Sequence, residues 1–471
     1  MIGRIAETEE LNRLSESNES EFVAVYGRRR VGKTYLVRET FDGRFSFLHT
    51  GLPNATKRQQ LSHFFKSLKE FGCTEKRCPS NWFKAFDMLR ETIDAKPNGR
   101  KVIFIDELPW LDTTRSDFLM ALEAFWNEWA SARKDILFIV CGSASSWMVK
   151  KLFRNRGGLH NRVTARMLLR PFTIGECELY AQERGIEMTR GDIAECYMAI
   201  GGIPYYWRHL VRGHSLAQNF NRMFFSESAP LKNEFTELYT SLFKNAPIYM
   251  KIVSALAKKK IGMTRTEITA TTGITKSGQL TDALDTLSES GFIRSYRVYG
   301  KTKRDRIYQL IDNFTLFHFR FLGGATTDVN FWTDTISSPQ QSAWRGLAFE
   351  RLCLQHLEQI RKALGISGVH TEAYEWRHAS DDVYPHGVQI DLLLDRADNV
   401  VNICEMKYAR GRYPLDKDAL EDLEEKAEVF RAVSKTKKAI HLTMVTTNGL
   451  ISNAYANQVQ SEITLDDLFA N

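Results

Sequence analysis

The chain has 471 residues, 43% of them hydrophobic and 26% charged, with a formal net charge of +7. That length exceeds what one core organises and points to about three or four domains of an ordinary soluble globular protein. The mild positive charge favours a polyanionic partner only weakly, because a solvated surface gives the same figure. The cysteines (Cys73, Cys78, Cys141, Cys177, Cys196, Cys353 and Cys404) are odd in number, dispersed and form no C-x-x-C pair. Such a set reads as reduced thiols, against a disulfide framework or zinc site, and makes the cytoplasm the expected location. No run approaches the roughly 18 apolar residues of a membrane span, and the opening "MIGRIAETEE" is too polar and acidic for a signal peptide.

Residues 22–34, "FVAVYGRRRVGKT", join a buried-strand run to G-x-x-x-x-G-K-T. Gly27 and Gly32 let the backbone N–H groups of Arg28, Arg29, Arg30 and Val31 close around phosphates. The helix opened by Tyr35 and its neighbours points its positive end at them. Lys33 is expected to reach the β- and γ-phosphates of ATP, and Thr34 to ligate Mg²⁺. A second apolar run, "KVIFIDELPWL" (101–111), reads as a strand buried on both faces of a parallel sheet. It ends in Asp106, suited to the Mg²⁺ shell, and Glu107, suited to orienting the attacking water. A third, "ILFIVCGSASS" (136–146), ends in hydroxyls, of which Ser143 or Ser145 is placed to sense the γ-phosphate.

Together with "LHNRVTARMLLRPF" (159–172) and "GGIPYYW" (201–207), these motifs resemble, in order and over roughly residues 1–310, the archaeal-type P-loop ATPases of the AAA+/STAND group. The resemblance implies that Gly3 and Arg4 lie near the adenine and that Arg162 is a phosphate-facing arginine. An arginine of this kind often acts on a neighbour's nucleotide, which implies a homo-oligomer on ATP binding. It also implies that Gly202–Pro204 marks a helical lid. Ile5 stands where the family usually has an acid, and Arg154, Arg156 and Arg166 are rivals to Arg162. The implied organisation is an ATPase core over 1–170 and a helical lid over 171–245.

Residues 246–312 read as a winged helix that contacts DNA. "IYMKIVSALAKKK" is one helix, Thr264 caps "RTEITATT", Gly273 turns the chain, and "SGQLTDALDTLSESG" is a second helix. Two strands, "FIRSYRVYG" and "RIYQLID", flank the basic loop "GKTKRD". The basic residues Lys258, Lys259, Lys260, Arg265, Lys276, Arg294, Arg297, Lys301, Lys303, Arg304 and Arg306 outnumber the acids, which suits phosphate contacts. The second helix has few base-reading side chains, so tight sequence specificity is not expected.

The C-terminal segment, 330–471, begins with the linker-like "ISSPQQS" and a long helix, "AWRGLAFERLCLQHLEQIRKALG", with Glu350 on or near its apolar surface. "VQIDLLLDR" and "VVNICEMKY" fold about residue 398 into a hairpin that sets Asp391 opposite Glu405, with Lys407 on the same face. Two facing carboxylates repel unless a cation lies between them or one is protonated. Asp391, Glu405 and the carbonyl of Met406 offer the hard oxygens that Mg²⁺ prefers, Mn²⁺ being an alternative. Lys407 suits activation of a water, and Glu350 completes the set. Asp-x₁₃-Glu-x-Lys resembles the PD-(D/E)xK nuclease signature, although Ile390 replaces the proline before the Asp. The expected class is therefore α/β multidomain: a P-loop parallel-sheet core, a helical lid, a winged helix and an α/β restriction-endonuclease-like domain. The expected function is an ATP-hydrolysing switch that contacts DNA and carries a metal-dependent nuclease, in defence or mobile-element biology. The rival is a regulatory ATPase whose C-terminal domain only binds DNA or protein.

Overall fold

The apolar runs at 22–26, 101–106 and 136–142 become neighbouring strands of one parallel sheet in the computed structural model, which describes every residue except 144, 155–157, 160, 301–305, 325–327 and 471. The chain divides into two units, Met1–Pro171 and Phe172–Asn471. In the first, β1 (Glu21–Tyr26), β2 (Phe45–Thr50), β3 (Lys101–Asp106), β4 (Ile136–Gly142) and β5 (Ala165–Leu168) are ordered β2-β3-β4-β1-β5. All pairings are parallel. β3 and β4 are buried along their whole length, as strands covered on both faces must be. One side is packed with aromatics, including Phe22, Phe64, Trp82, Phe118 and Phe138. Burying each phenylalanine contributes about 2 kcal/mol. Because the strands are parallel, the chain leaves β1, β3 and β4 at the same sheet edge, where open α/β sheets bind ligands.

The second unit opens with helices Ile174–Glu183 and Arg190–Ile200, each started by a capping box, from Thr173 to Glu176 and from Thr189 to Asp192. Further along, helices Ala246–Ala257, Arg265–Thr272 and Ser277–Glu289 accompany an antiparallel sheet of β6 (Met263–Thr264), β7 (Ile293–Arg297) and β8 (Arg306–Leu310), ordered β6-β8-β7. The helix expected to run to Lys260 ends at Ala257. Lys258 caps it, and Lys259–Gly262 form a turn. Gly262 has φ +88°, and a Cβ there would lie 2.3 Å from the Tyr308 carbonyl oxygen, so the turn requires glycine. The loop cations Lys301, Lys303 and Arg304 lie outside the described residues.

The last sheet holds β9 (Thr371–His378), β10 (Val388–Arg396), β11 (Val400–Lys407), β12 (Ala439–Thr446) and β13 (Ser461–Thr464), ordered β13-β12-β11-β10-β9. β9, β10 and β11 pair antiparallel, whereas β11, β12 and β13 pair parallel. Helix Lys417–Ser434 lies between β11 and β12, as a parallel crossover requires. The sequence expectation of a linker at "ISSPQQS" is corrected: Ser338 caps a helix, Pro339–Gln355, that starts with Pro339 in its first turn. That helix is also not continuous to residue 365. His356 (φ −118°, ψ 38°) separates it from Leu357–Ala363. Among the described residues, no helix is long and apolar enough to cross a membrane.

The break has a tertiary cause. His356 is buried; its Nε2 accepts the Ile174 N–H at 3.0 Å, and its Nδ1 lies 2.8 Å from the Leu352 carbonyl. Nδ1 therefore donates and the ring is neutral. Burial lowers its pKa to about 4. The unfolded chain then binds a proton that the folded chain refuses between pH 6.5 and 4. Stability is present above 6.5 and is lost as pH falls. We expect the stability advantage of wild type over His356→Gln to shrink by about 3 kcal/mol between pH 7 and pH 4 in urea titrations. An advantage that does not change with pH would contradict this role for the ring.

Candidate functional site

The phosphate loop follows from two glycines. Gly27 (φ +143°) approaches Leu169 so closely that a Cβ would sit 2.3 Å from its carbonyl oxygen, and Gly32 (φ +94°) turns the chain into helix Lys33–Thr40. Lys33 is buried, and its Nζ donates to the carbonyls of Gly27 (3.1 Å) and Arg28 (2.9 Å). Burial lowers its pKa, so the ammonium is held without full hydration. Thr34 Oγ1 donates to Asp106 Oδ2 at 2.8 Å. The other oxygen of Asp106 accepts the Glu107 N–H at 2.9 Å, while burial raises the Asp106 pKa against the Thr34 bond. The Thr34 hydroxyl and the Asp106 carboxylate are adjacent hard-oxygen donors, a pair that fits Mg²⁺.

Glu107 has φ +49°, a left-handed conformation that costs a non-glycine residue about 1 kcal/mol or more. The turn aims its carboxylate at Ser143, whose Oγ donates at 2.8 Å and whose N–H lies at 3.3 Å. Of the two hydroxyls left open by the sequence, Ser143 is thus the one bonded to Glu107, and Ser145 is fully buried. Arg4 is also buried and ties the loop down, donating to the carbonyls of Val31 (3.1 Å) and Arg170 (2.8 Å). Arg28 and Val31 are buried, Arg29 and Arg30 half-buried, and Tyr35 exposed. Arg162 is exposed in the turn before β5. Pro204 belongs to the second unit, where it opens helix Pro204–Trp207. There Gly202 accepts the Phe172 N–H at 2.7 Å and has no room for a Cβ, which would lie 1.9 Å from the Phe172 oxygen.

In the second unit the hairpin register is centred on residue 398, with Leu392 opposite Cys404 and Asp395 opposite Val401, so Asp391 and Glu405 are next in line. The Met406 N–H points to Asp391 Oδ2 at 3.4 Å. Glu350 arrives from helix Pro339–Gln355. It shares a recess with Asp391, Gln389, Arg351 and two residues of the preceding segment, Lys260 and Gln309. Lys260 Nζ lies 2.5 Å from Glu350 Oε2 and 3.6 Å from Asp391 Oδ1. Burial, and then the charge of Asp391, raise the Glu350 pKa to about 7 despite Lys260. Burial, and then Glu405, raise that of Asp391. Glu405, also buried, accepts Lys407 at 2.8 Å on Oε1 and Lys426 at 3.0 Å on Oε2.

Three carboxylates therefore meet three ammonium groups. Among the described residues, no group of three or more His, Cys, Asp or Glu side chains is arranged to hold a metal ion. The Glu350 and Asp391 oxygens do embrace one cationic centre and so fit a divalent cation as a pair; Glu405 is turned to its two lysines. Sequence reasoning missed the part of Lys426 in the site. Its mark is faint: it falls on the buried stripe of helix Lys417–Ser434, between Leu423 and Phe430. The part of Lys260 was hidden in a run of three lysines.

Among the described basic residues of 246–312, some are paired and some exposed. Arg294 pairs with Glu375, Lys259 with Glu267 at 2.5 Å, and Arg265 with the Ser277 carbonyl at 2.6 Å. Lys258, Lys276, Arg297 and Arg306 are exposed.

Residues 1–210 match the family model of an ATPase domain found predominantly in Archaea. An uncharacterized protein of Methanocaldococcus jannaschii, MJECL04, is 25% identical over 396 residues, covering 81% of this chain and 83% of that protein. Among solved structures, the Walker-type ATPase PABY2304 of Pyrococcus abyssi aligns with a TM-score of 0.46 and 16% identity, over 68% of this chain and 96% of that one. The ORC2 protein of Aeropyrum pernix aligns with a TM-score of 0.43 and 15% identity, over 72% and 96%.

The loop geometry makes a sharp demand on Gly27. We expect Gly27→Ala to weaken binding of a fluorescent ATP analogue by at least about tenfold, because the added methyl displaces either the loop or the Leu169 backbone. Affinity equal to wild type would show that the loop tolerates the methyl.

Proposed function

We propose that the chain is an ATP-hydrolysing switch that contacts DNA through 246–312, a winged helix, and that residues 330–471 form a PD-(D/E)xK nuclease-like domain. In the first unit, Lys33 and the loop N–H groups bind the phosphates, and Thr34 and Asp106 hold Mg²⁺. Glu107 orients the attacking water, with Ser143 holding its carboxylate in a γ-phosphate-sensitive position. When bound, Mg²⁺ neutralises the charge of the β- and γ-phosphates. Arg4 keeps the loop in place at the adenine end. The exposure of Arg162 suits action on the nucleotide of a second copy, which makes ATP-driven homo-oligomerisation part of this reading. Pro204 marks the helical lid, 171–245, at the start of the second unit.

In the second unit, Glu350, Asp391, Glu405 and the Met406 carbonyl are the donors for Mg²⁺ or Mn²⁺, and Lys407 orients the water that attacks a phosphodiester. The observation that carries this is the placing of the half-buried Glu350 and Asp391 around one shared cation, beside the Glu405–Lys407 pair. Buried carboxylates are costly without such counter-charge, and perturbed acids of this kind gather at functional sites. The lysine saturation of Glu405 favours a second reading, in which the acids form a structural ion network and the domain only binds DNA or protein. In DNA binding, Lys258, Lys276, Arg297 and Arg306 are the exposed phosphate contacts among the described residues, together with the loop cations expected at Lys301, Lys303 and Arg304.

Lys33→Ala is expected to cut steady-state ATP hydrolysis by about 100-fold or more; turnover at the wild-type rate would remove the P-loop assignment. With plasmid or single-stranded DNA, ATP and Mg²⁺ or Mn²⁺, Glu405→Ala is expected to abolish cleavage seen with wild type. Equal cleavage by both proteins, or none by either, supports the non-catalytic reading. Replacing Lys276 and Arg297 with glutamate is expected to weaken DNA binding and to lower the salt slope by about one per lost contact. An unchanged slope would make the segment a packing module.

A further inference from the structure

The cation that Glu350 and Asp391 share comes from the chain itself, and from a segment outside the fold that holds those acids. Lys260 leaves helix Ala246–Ala257 in the turn that Gly262 makes possible. Three hydrogen bonds hold that turn. The Gly262 N–H donates to the Lys259 carbonyl (2.9 Å), Gln309 Nε2 donates to the Lys260 carbonyl (2.8 Å), and the Tyr296 hydroxyl donates to the Ile261 carbonyl (2.6 Å). The backbone is thereby fixed on both sides of Lys260, and its ammonium is delivered to carboxylates whose side chains are only 16% and 11% exposed.

We propose that Lys260 is a tethered cation that occupies the metal position of the Glu350–Asp391 pair, competes with a divalent ion for it, and keeps this site closed until the 246–312 segment lets go. The inference rests on reading these acids as metal donors. Charge balance supports it. Glu350 and Asp391 meet Lys260, and Arg351 lines the same recess, so a divalent ion entering beside these two acids favours the departure of the ammonium. Lys407 and Lys426 both bond Glu405 from elements packed in the same sheet and crossover helix. Lys260 is the one that can withdraw: it stands in the turn between helix Ala246–Ala257 and β6, and its side chain is 36% exposed. A second latch lies alongside. Arg294 pairs with Glu375 of β9, and the Tyr296 hydroxyl stands 3.1 Å from the same carboxylate. Lys260 and Gln309 also form one wall of the recess above Asp391, so the segment that supplies the cation also narrows access to the acids.

The test is Mn²⁺ binding by nucleotide-free full chain, read by the loss of free-Mn²⁺ electron paramagnetic resonance signal. Lys260→Met, which keeps the apolar stem, is expected to bind one Mn²⁺ at least tenfold more tightly than wild type, and adding Asp391→Asn is expected to remove that binding. Equal affinity of Lys260→Met and wild type, in a site that Asp391→Asn removes, would overturn the competition and leave the metal reading standing. If no Mn²⁺ binding by either protein depends on Asp391, the metal reading fails and the inference with it. Hydrogen exchange on the wild-type chain needs no altered lysine. Mn²⁺ is expected to raise exchange at residues 258–262 in wild type and not in Asp391→Asn, and unchanged exchange under Mn²⁺ saturation would overturn the proposal.

Discussion

Burying carboxylates is the constraint around which the second unit is built. Glu350, Asp391 and Glu405 come from one helix and two paired strands; Glu405 is buried and the other two are half-buried, at a cost that would reach several kcal/mol for a fully buried ion without counter-charge. Three lysines from three different elements answer them. Lys407 extends the same strand as Glu405, Lys426 reaches over from the crossover helix, and Lys260 arrives from the turn after helix Ala246–Ala257. A core that needed only stability would fill this space with apolar side chains at equal or lower cost. Retaining three acids here fits a site that exchanges one positive charge for another.

The first unit solves a related problem differently. Its acids, Asp106 and Glu107, are satisfied by hydroxyls rather than by cations, through Thr34 and Ser143. The Lys33 ammonium beside them is held by the loop carbonyls of Gly27 and Arg28. The left-handed backbone of Glu107 is the local cost of turning that carboxylate toward β4 instead of letting it follow the strand. Burial of β3 and β4 on every residue gives the rigid frame that sustains the strain.

Where local chemistry decided the outcome, the sequence was readable. Gly27 and Gly32 marked the loop, the apolar runs marked β1, β3 and β4, and counting outward from residue 398 gave the Asp391–Glu405 register. What failed depended on distant partners. Nothing between residues 343 and 365 announces a helix break; the cause is a hydrogen bond from Ile174, 182 residues away. Lys260 read as the end of a helix and as a DNA contact, because the turn that redirects it is set by Gly262 against Tyr308. Lys426 was indistinguishable from its charged neighbours until the helix was laid on the sheet. The same tertiary pairing makes Arg294 a partner of Glu375 and withdraws it from the cations expected to meet phosphates.

On the proposed reading, the acids of the second unit form a divalent-metal site distinct from the phosphate loop. Anomalous diffraction from crystals grown with Mn²⁺ and a non-hydrolysable ATP analogue tests it most directly. Two manganese peaks are expected, one beside Thr34 and Asp106 and one between Glu350 and Asp391, with the Lys260 ammonium displaced. A single peak at Thr34 and Asp106, with Lys260 still seated between the two carboxylates, would contradict it.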